Sequence, residues 1–210
     1  MVENLLIGLL GALVGVFLGH RLTISLYRNR TNSLEKAFYN EFEIIRDDFK
    51  DWFPALIEEY DAPLRDQYTG PTPLDLRLVE SLTVELAGTD KIISTDQRML
   101  LSRLERMICN IRKNDSNRSI RLKKWIENSQ NMEKLEQYHI KNELEFITAQ
   151  LIIDVSQGIY FLEKLVNERK EFAIGDVNSI NIFLERSFET CKLEFDNDKW
   201  NSIIKRLGFS

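Results

Sequence analysis

The chain has 210 residues, 43% of them hydrophobic and 29% charged, with a formal net charge of −5. That balance excludes a disordered, collagenous or disulfide-rich chain, and the length holds one ordinary domain with at most an extra element. All four prolines (Pro54, Pro63, Pro71, Pro73) fall within twenty residues, and the 137 residues after Pro73 hold only Gly88, Gly158, Gly175 and Gly208. The regular turn signals of strand-rich chains are missing, so the expected class is all-α.

The first element is an apolar run. From Leu5 to Gly19 there are fifteen residues without a polar side chain, and after His20 and Arg21 the pattern continues through Leu22, Ile24 and Leu26. Ten large apolar side chains between Leu5 and Leu18 favour insertion by roughly −3 to −6 kcal/mol. Fifteen helical residues measure only about 22 Å, so a span must extend toward Val2 or toward Tyr27, with Arg21 reaching back to the headgroups. No Lys or Arg precedes the run and no small-x-small site follows it, which argues for a retained anchor over a cleaved signal. Arg21, Arg28, Arg30 and Lys36 outweigh Glu3 on the other flank, so the N-terminus is expected outside and the residues after about 28 in the cytoplasm.

Gly8, Gly11, Gly15 and Gly19 recur at three- and four-residue steps and share one helix face. A small-xxx-small face lets a second helix approach closely in lipid, so a homo-oligomer through this helix is expected. The stretch Gly11-Ala12-Leu13-Val14-Gly15-Val16-Phe17-Leu18-Gly19-His20-Arg21-Leu22, followed by an Arg-flanked polar segment and an aromatic-rich helix, resembles the amino-terminal anchor of uncharacterised bacterial single-pass membrane proteins. The resemblance covers about thirty residues. It implies a bacterial inner-membrane setting and attaches no activity.

Residues 33–210 carry 25 basic and 32 acidic side chains, a net −7. Asn32 and Glu35 have capping-box spacing, and Leu34, Phe38, Phe42, Ile45, Phe49, Trp52 and Leu56 then recur as one helix face. Pro54 should end or kink that helix, or open a new one at its first turn. Pro63, Gly70, Pro71 and Pro73 predict a loop. Thr72, Pro73 and Asp75 read as the start of a helix whose buried face is Leu78, Leu82 and Leu86, stopped by Gly88. Ser94 and Gln97 form a capping box ahead of Leu100, Leu104, Met107, Ile108 and Ile111. A further run from about Ser119 to Lys170 is too long for one ordinary helix and should break near Asn128–Asn131. Gly175 and Asn178 separate it from a helix with Ile180, Phe183, Leu184 and Phe188, and Asn197 caps a last one with Trp200, Ile203, Ile204 and Leu207. Seven or eight helices are expected, with no internal repeat. The expected organisation is an anchor and basic flank over 1–30, an amphipathic aromatic-rich helix over 31–60, a Pro/Gly loop over 61–73, and a helical domain over 74–210.

Catalytic patterns are scarce. Glu136 and His139 give half of a carboxylate-bridged two-metal motif whose second copy is missing. Cys109 and Cys191, 82 positions apart, read as buried small apolar residues. After Gly19 no two glycines lie closer than seventeen residues, which disfavours a phosphate-binding glycine loop. Asp196-Asn197-Asp198 lacks the later residues of a calcium loop and reads as a helix cap. Neither histidine has an Arg five to seven positions before it, so a helical nuclease loses its catalytic pair. No catalytic, cofactor-binding or metal-ligating residue is assigned.

Charge patterning is the remaining signal. Arg112, Lys113, Arg118, Arg121, Lys123 and Lys124 face only Asp115, giving +5 over thirteen residues, while residues 35–66 carry −6. Such a cluster suits an anionic lipid surface, a nucleic-acid backbone, or pairing with the acidic segment within or between subunits. A solvated surface explains it equally well, and nucleic acid is the least favoured use, because the domain is acidic and only Trp125 adjoins the cluster. The expected whole is one N-terminal transmembrane helix followed by a cytoplasmic multi-helix bundle, with no cofactor. It acts as a scaffold binding the lipid bilayer, a protein partner and copies of itself. The alternatives are a membrane-perturbing, pore-forming effector and an enzyme with an unrecognised site.

Overall fold

The computed structural model describes residues 2–208 apart from Pro73, Leu74, Asp90, Ile92, Asn131 and 176–178, and omits the side chains of residues 2–9. The described residues form six α-helices and no strand: α1 (Val2–Asp61), α2 (Arg77–Ala87), α3 (Thr95–Asn128), α4 (Lys134–Glu168), α5 (Ile180–Thr190) and α6 (Asn197–Arg206). A single 3-10 turn, Arg169–Glu171, closes α4.

α1 is one unbroken helix of 60 residues. Its exposure changes at one point: every residue from 10 to 30 is exposed, whereas Thr31 is only 2% exposed. Beyond it the expected face, from Phe38 through Phe42, Ile45, Phe49, Trp52 and Leu56, is buried, joined by Phe53. Each of these side chains contributes about 1.5–3 kcal/mol by leaving water. One helix therefore joins an apolar segment, exposed at every described position from 10 to 30, to a segment that forms the core. Asn32, expected to open a helix, lies inside it.

Pro54 neither ends α1 nor opens a new helix. Having no N–H, it leaves the Lys50 carbonyl without its helical donor. The Cys191 thiol points at that oxygen, 3.8 Å away, from the end of α5.

α3 runs parallel to α1. Gln97 Nε2 donates to the Tyr39 hydroxyl at 3.0 Å, and Arg118 Nη1 reaches Glu59 at 2.5 Å, twenty residues farther along α1. α4 returns antiparallel, packing on α1, α3 and α5, and ends with Lys170 3.1 Å from Glu35. Gly158 of α4 faces both α1 and α3, where a Cβ would lie 2.8 Å from the Phe49 ring and 3.3 Å from Met107 Sδ. α5 packs on α4, Ser187 Oγ donating to the Ser156 carbonyl at 3.1 Å and Thr190 Oγ1 to Glu163 at 2.9 Å, and α6 packs Trp200 beside Tyr60 near the end of α1.

Several boundaries differ from expectation. α2 begins at Arg77, because the Asp75 carboxylate accepts the Arg77 backbone N–H at 2.9 Å and pairs with its guanidinium. Val79, Leu82 and Leu86 are then buried, while Leu78 is exposed. Pro73, expected at the first helical position, lies outside the described residues. α3 passes straight through residues 112–118, and with the boundary expected at Asn32 also absent the described residues form six helices instead of seven or eight. The break before α4 falls where it was expected, although Asn131 lies outside the described residues, as does the separator Asn178. The Ser94–Gln97 capping box forms with both of its bonds. α6 is capped by Asp196, whose carboxylate accepts the Lys199 N–H at 3.0 Å, and Asn197 is its first residue.

Candidate functional site

The free face of the apolar segment is the first candidate surface. Gly11, Gly15 and Gly19 have nothing within 4 Å of an added Cβ. Gly8, the fourth member of the stripe, lies outside the residues whose surroundings are described. Leu10, Leu13, Val14, Val16, Phe17 and Leu18 are all more than half exposed. An 18-residue stretch of α1 within its described residues, from Leu10 onward, has a mean hydropathy of 1.4 and none of it is buried, which is compatible with a membrane anchor or a signal sequence. Arg21 lies over the Phe17 ring at 4.9 Å, and Arg28 is exposed beyond it. Arg30 meets Glu85 of α2 at 3.7 Å.

The basic cluster of α3 is not an open cationic surface. Arg118 is fully buried, with Nη1 on Glu59 at 2.5 Å, a second contact to Asp115, and Nη2 on the Thr69 carbonyl at 3.0 Å. Its guanidinium sits 4.6 Å from the Tyr68 ring and 5.6 Å from that of Trp52. Trp52 Nε1 donates to the same Thr69 carbonyl, and Glu59 accepts from the Thr69 N–H. Arg118 thus fastens the 62–70 loop across α1 and α3, and its place in a lipid- or partner-binding patch is corrected. This is the intramolecular form of the pairing between basic and acidic segments. Arg121, Lys123 and Lys124 meet Glu143, Glu127 and Glu136, so most of the cluster is balanced locally. Arg112 and Lys113 remain exposed on α3.

Position also argues against lipid contact by this cluster. Arg118 is level with Glu59, thirty-two residues beyond Tyr27, or about 48 Å at the helical rise per residue. A Debye length at physiological salt is about 8 Å. With the apolar segment in a bilayer, Arg118 to Lys124 stand at the far end of the bundle.

The near end is built differently. The α4 terminus brings Arg169 and Lys170 beside the first buried turn of α1. Glu35 accepts ion pairs from both Lys91, at 2.8 Å, and Lys170, at 3.1 Å. Burial works against the Glu35 carboxylate, but those two lysines outweigh it and hold its pKa below the usual value. Arg169 adopts φ 50° and ψ −109°, a region that favours glycine. Its carbonyl is fixed by Gln97 Nε2 at 2.8 Å and its guanidinium lies 5.5 Å from the Tyr39 ring. No pattern in the sequence distinguishes this arginine, because its conformation follows from where α4 meets α3.

Other residues weighed for chemistry are accounted for by packing or solvent. His139 is exposed, Glu136 is paired to Lys124, and among the described residues no group of three His, Cys, Asp or Glu could hold a metal. Cys191 is half-buried, and burial pushes its thiol up to about 11, away from nucleophilic use. Cys109 is exposed, contrary to expectation, in a cleft of about 500 Å³ between the start of α2 and α3.

Comparison with known proteins returns no matching family model, no matching curated protein and no matching solved structure.

Proposed function

We propose that this chain is a membrane-anchored helical interaction protein of the bacterial inner membrane, with the N-terminus outside and the bundle in the cytoplasm. The single observation that carries the reading is the abrupt change of exposure along α1 at Thr31. A fully exposed apolar stretch is costly in water and favourable in lipid. Because the same helix supplies the bundle's core without a break, the anchor and the domain form one rod. The basic residues Arg21, Arg28 and Arg30 support the orientation.

The anchor confines the bundle to the bilayer surface, where copies meet at raised effective concentration. Gly11, Gly15 and Gly19, open along one face, offer a seam for helix–helix packing in lipid. The bundle itself is then a platform for a protein partner, with no catalytic group assigned.

A membrane two-hybrid or reporter assay of self-association tests the reading. Gly15→Leu is expected to reduce the signal severalfold, whereas Val14→Leu, one position off the seam, leaves it unchanged. Equal association of Gly15→Leu and the parent removes the self-associating scaffold.

A further inference from the structure

The bilayer-facing end of the bundle contains a cleft that the anchoring reading does not itself require. Its volume is about 450 Å³, and Asn32, Lys36, Tyr39 and Asn40 of α1 line it opposite Arg169 and Lys170. Three cations and two amides around one aromatic ring form a donor-rich lining. The cleft's two carboxylates are already engaged, Glu35 by Lys91 and Lys170, and Glu168 by Lys164 at 3.9 Å. Lys36 and Arg169 make no ion pair among the described residues.

Three independent features coincide here. Asn32 and Lys36 follow Tyr27 by five and nine residues, which places them about 8–14 Å beyond the apolar segment along a helix. That is the headgroup zone if the segment spans a bilayer. Arg169 and Lys170 come from the opposite end of α4 and reach the same level only through the fold. The strained backbone of Arg169, fixed by the buried Gln97 amide, aims an exposed cation into this place at a conformational cost. A strained non-glycine residue beside a cation-lined cleft is a stronger indication of a ligand than either feature alone.

We infer that this cleft binds the phosphate headgroup of an anionic lipid, with Lys36, Arg169 and Lys170 as its cationic donors and Asn32 and Asn40 as neutral ones. The inference rests on the anchored reading. The bound lipid would fix the bundle upright on the membrane, with the hairpin tip of α3 and α4 held toward the cytoplasm.

The test uses the full chain in nanodiscs of phosphatidylcholine containing spin-labelled phosphatidylglycerol or spin-labelled phosphatidylcholine. The parent should prefer the anionic label. Arg169→Gly combined with Lys170→Gln should lower that preference about fivefold per charge lost. Glycine accepts the Arg169 backbone, so this variant keeps its helical circular dichroism and its melting temperature does not fall. Lys123→Gln with Lys124→Gln, at the far end, should leave the preference intact. An anionic preference that is absent, or unchanged in the Arg169→Gly/Lys170→Gln variant, overturns the site. Carbonate extraction is run alongside: a chain that stays in the membrane without lipid preference refutes the site alone, whereas a released chain refutes the anchor and the site together. Titration of the micellar chain with inorganic phosphate separates the sources. Phosphate binding that the variant abolishes, without lipid preference, assigns the cleft to a free anion and overturns the lipid assignment.

Discussion

Arg118 and Glu59 show how a residue's neighbourhood overrides its sequence context. Both side chains are completely buried, and the guanidinium is satisfied by two carboxylates, a carbonyl and two aromatic rings. Removing one partner strands the other charge, so Glu59→Gln or Arg118→Met is expected to cost about 3–5 kcal/mol, while the double change to apolar residues recovers most of it. Thermal unfolding of the detergent-solubilised chain measures this; additive losses in the double variant would mean that the pair is not coupled. Asp154 is a different case. Burial alone raises its carboxyl to about 6, so the folded state keeps a proton that the unfolded chain has already released. Its contribution therefore favours folding at low pH and is lost as pH rises from about 4 through 6. Asp154→Asn should raise the melting temperature at pH 7.5 and leave it unchanged at pH 4. An equal shift at both values contradicts the assignment.

At the level of the helices, α1 and α4 share an extensive apolar interface in which one missing side chain makes room for an aromatic ring. The Phe49 ring occupies the space that a Cβ on Gly158 would fill. Gly158→Ala gains about 1 kcal/mol of helix propensity but must displace a packed ring, at about 1–3 kcal/mol. Net destabilisation is expected, with partial rescue by Phe49→Leu, and a more stable Gly158→Ala protein would contradict the packing. Pro54 makes the converse point. Pro54→Ala restores the donor to the Lys50 carbonyl and should stabilise the protein; a loss of stability would show that the proline-shaped gap matters more than the bond.

The periodic faces of α1, α3 and α5 and the Ser94–Gln97 cap were legible in the sequence, because amphipathic spacing and caps are local. The α2 start was not, since Asp75 takes the Arg77 N–H, and Val79 replaces Leu78 at the head of a buried face that keeps Leu82 and Leu86 as expected. The passage of α1 through Pro54 and of α3 through residues 112–118 depends on tertiary packing, which no local signal records. The same holds for the candidate sites. The glycine seam and the arginine flank are linear patterns, whereas the cleft at Arg169 joins residues more than 130 positions apart. The basic cluster misled for the complementary reason: its acidic partners lie mainly on other elements, so the linear charge count could not show that they cancel it.

For the molecule as a whole, one continuous helix sets the geometry. Its apolar portion is exposed from residue 10 to residue 30, its amphipathic portion is the spine of the bundle, and on the proposed anchored reading every level of the domain is thereby set relative to the lipid. The near end carries Lys36, Arg169 and Lys170; the far end carries the α3–α4 tip with Ile120, Leu135, Tyr138 and Phe146 exposed. The exposed thiol of Cys109, on α3 within the bundle, gives the most direct test of the proposed arrangement. A membrane-impermeant maleimide should leave Cys109 unlabelled in intact bacterial cells and label it once the inner membrane is permeabilised, with the chain remaining in the carbonate-resistant membrane fraction throughout. Labelling of Cys109 in intact cells, or release of the chain by carbonate, would contradict the account.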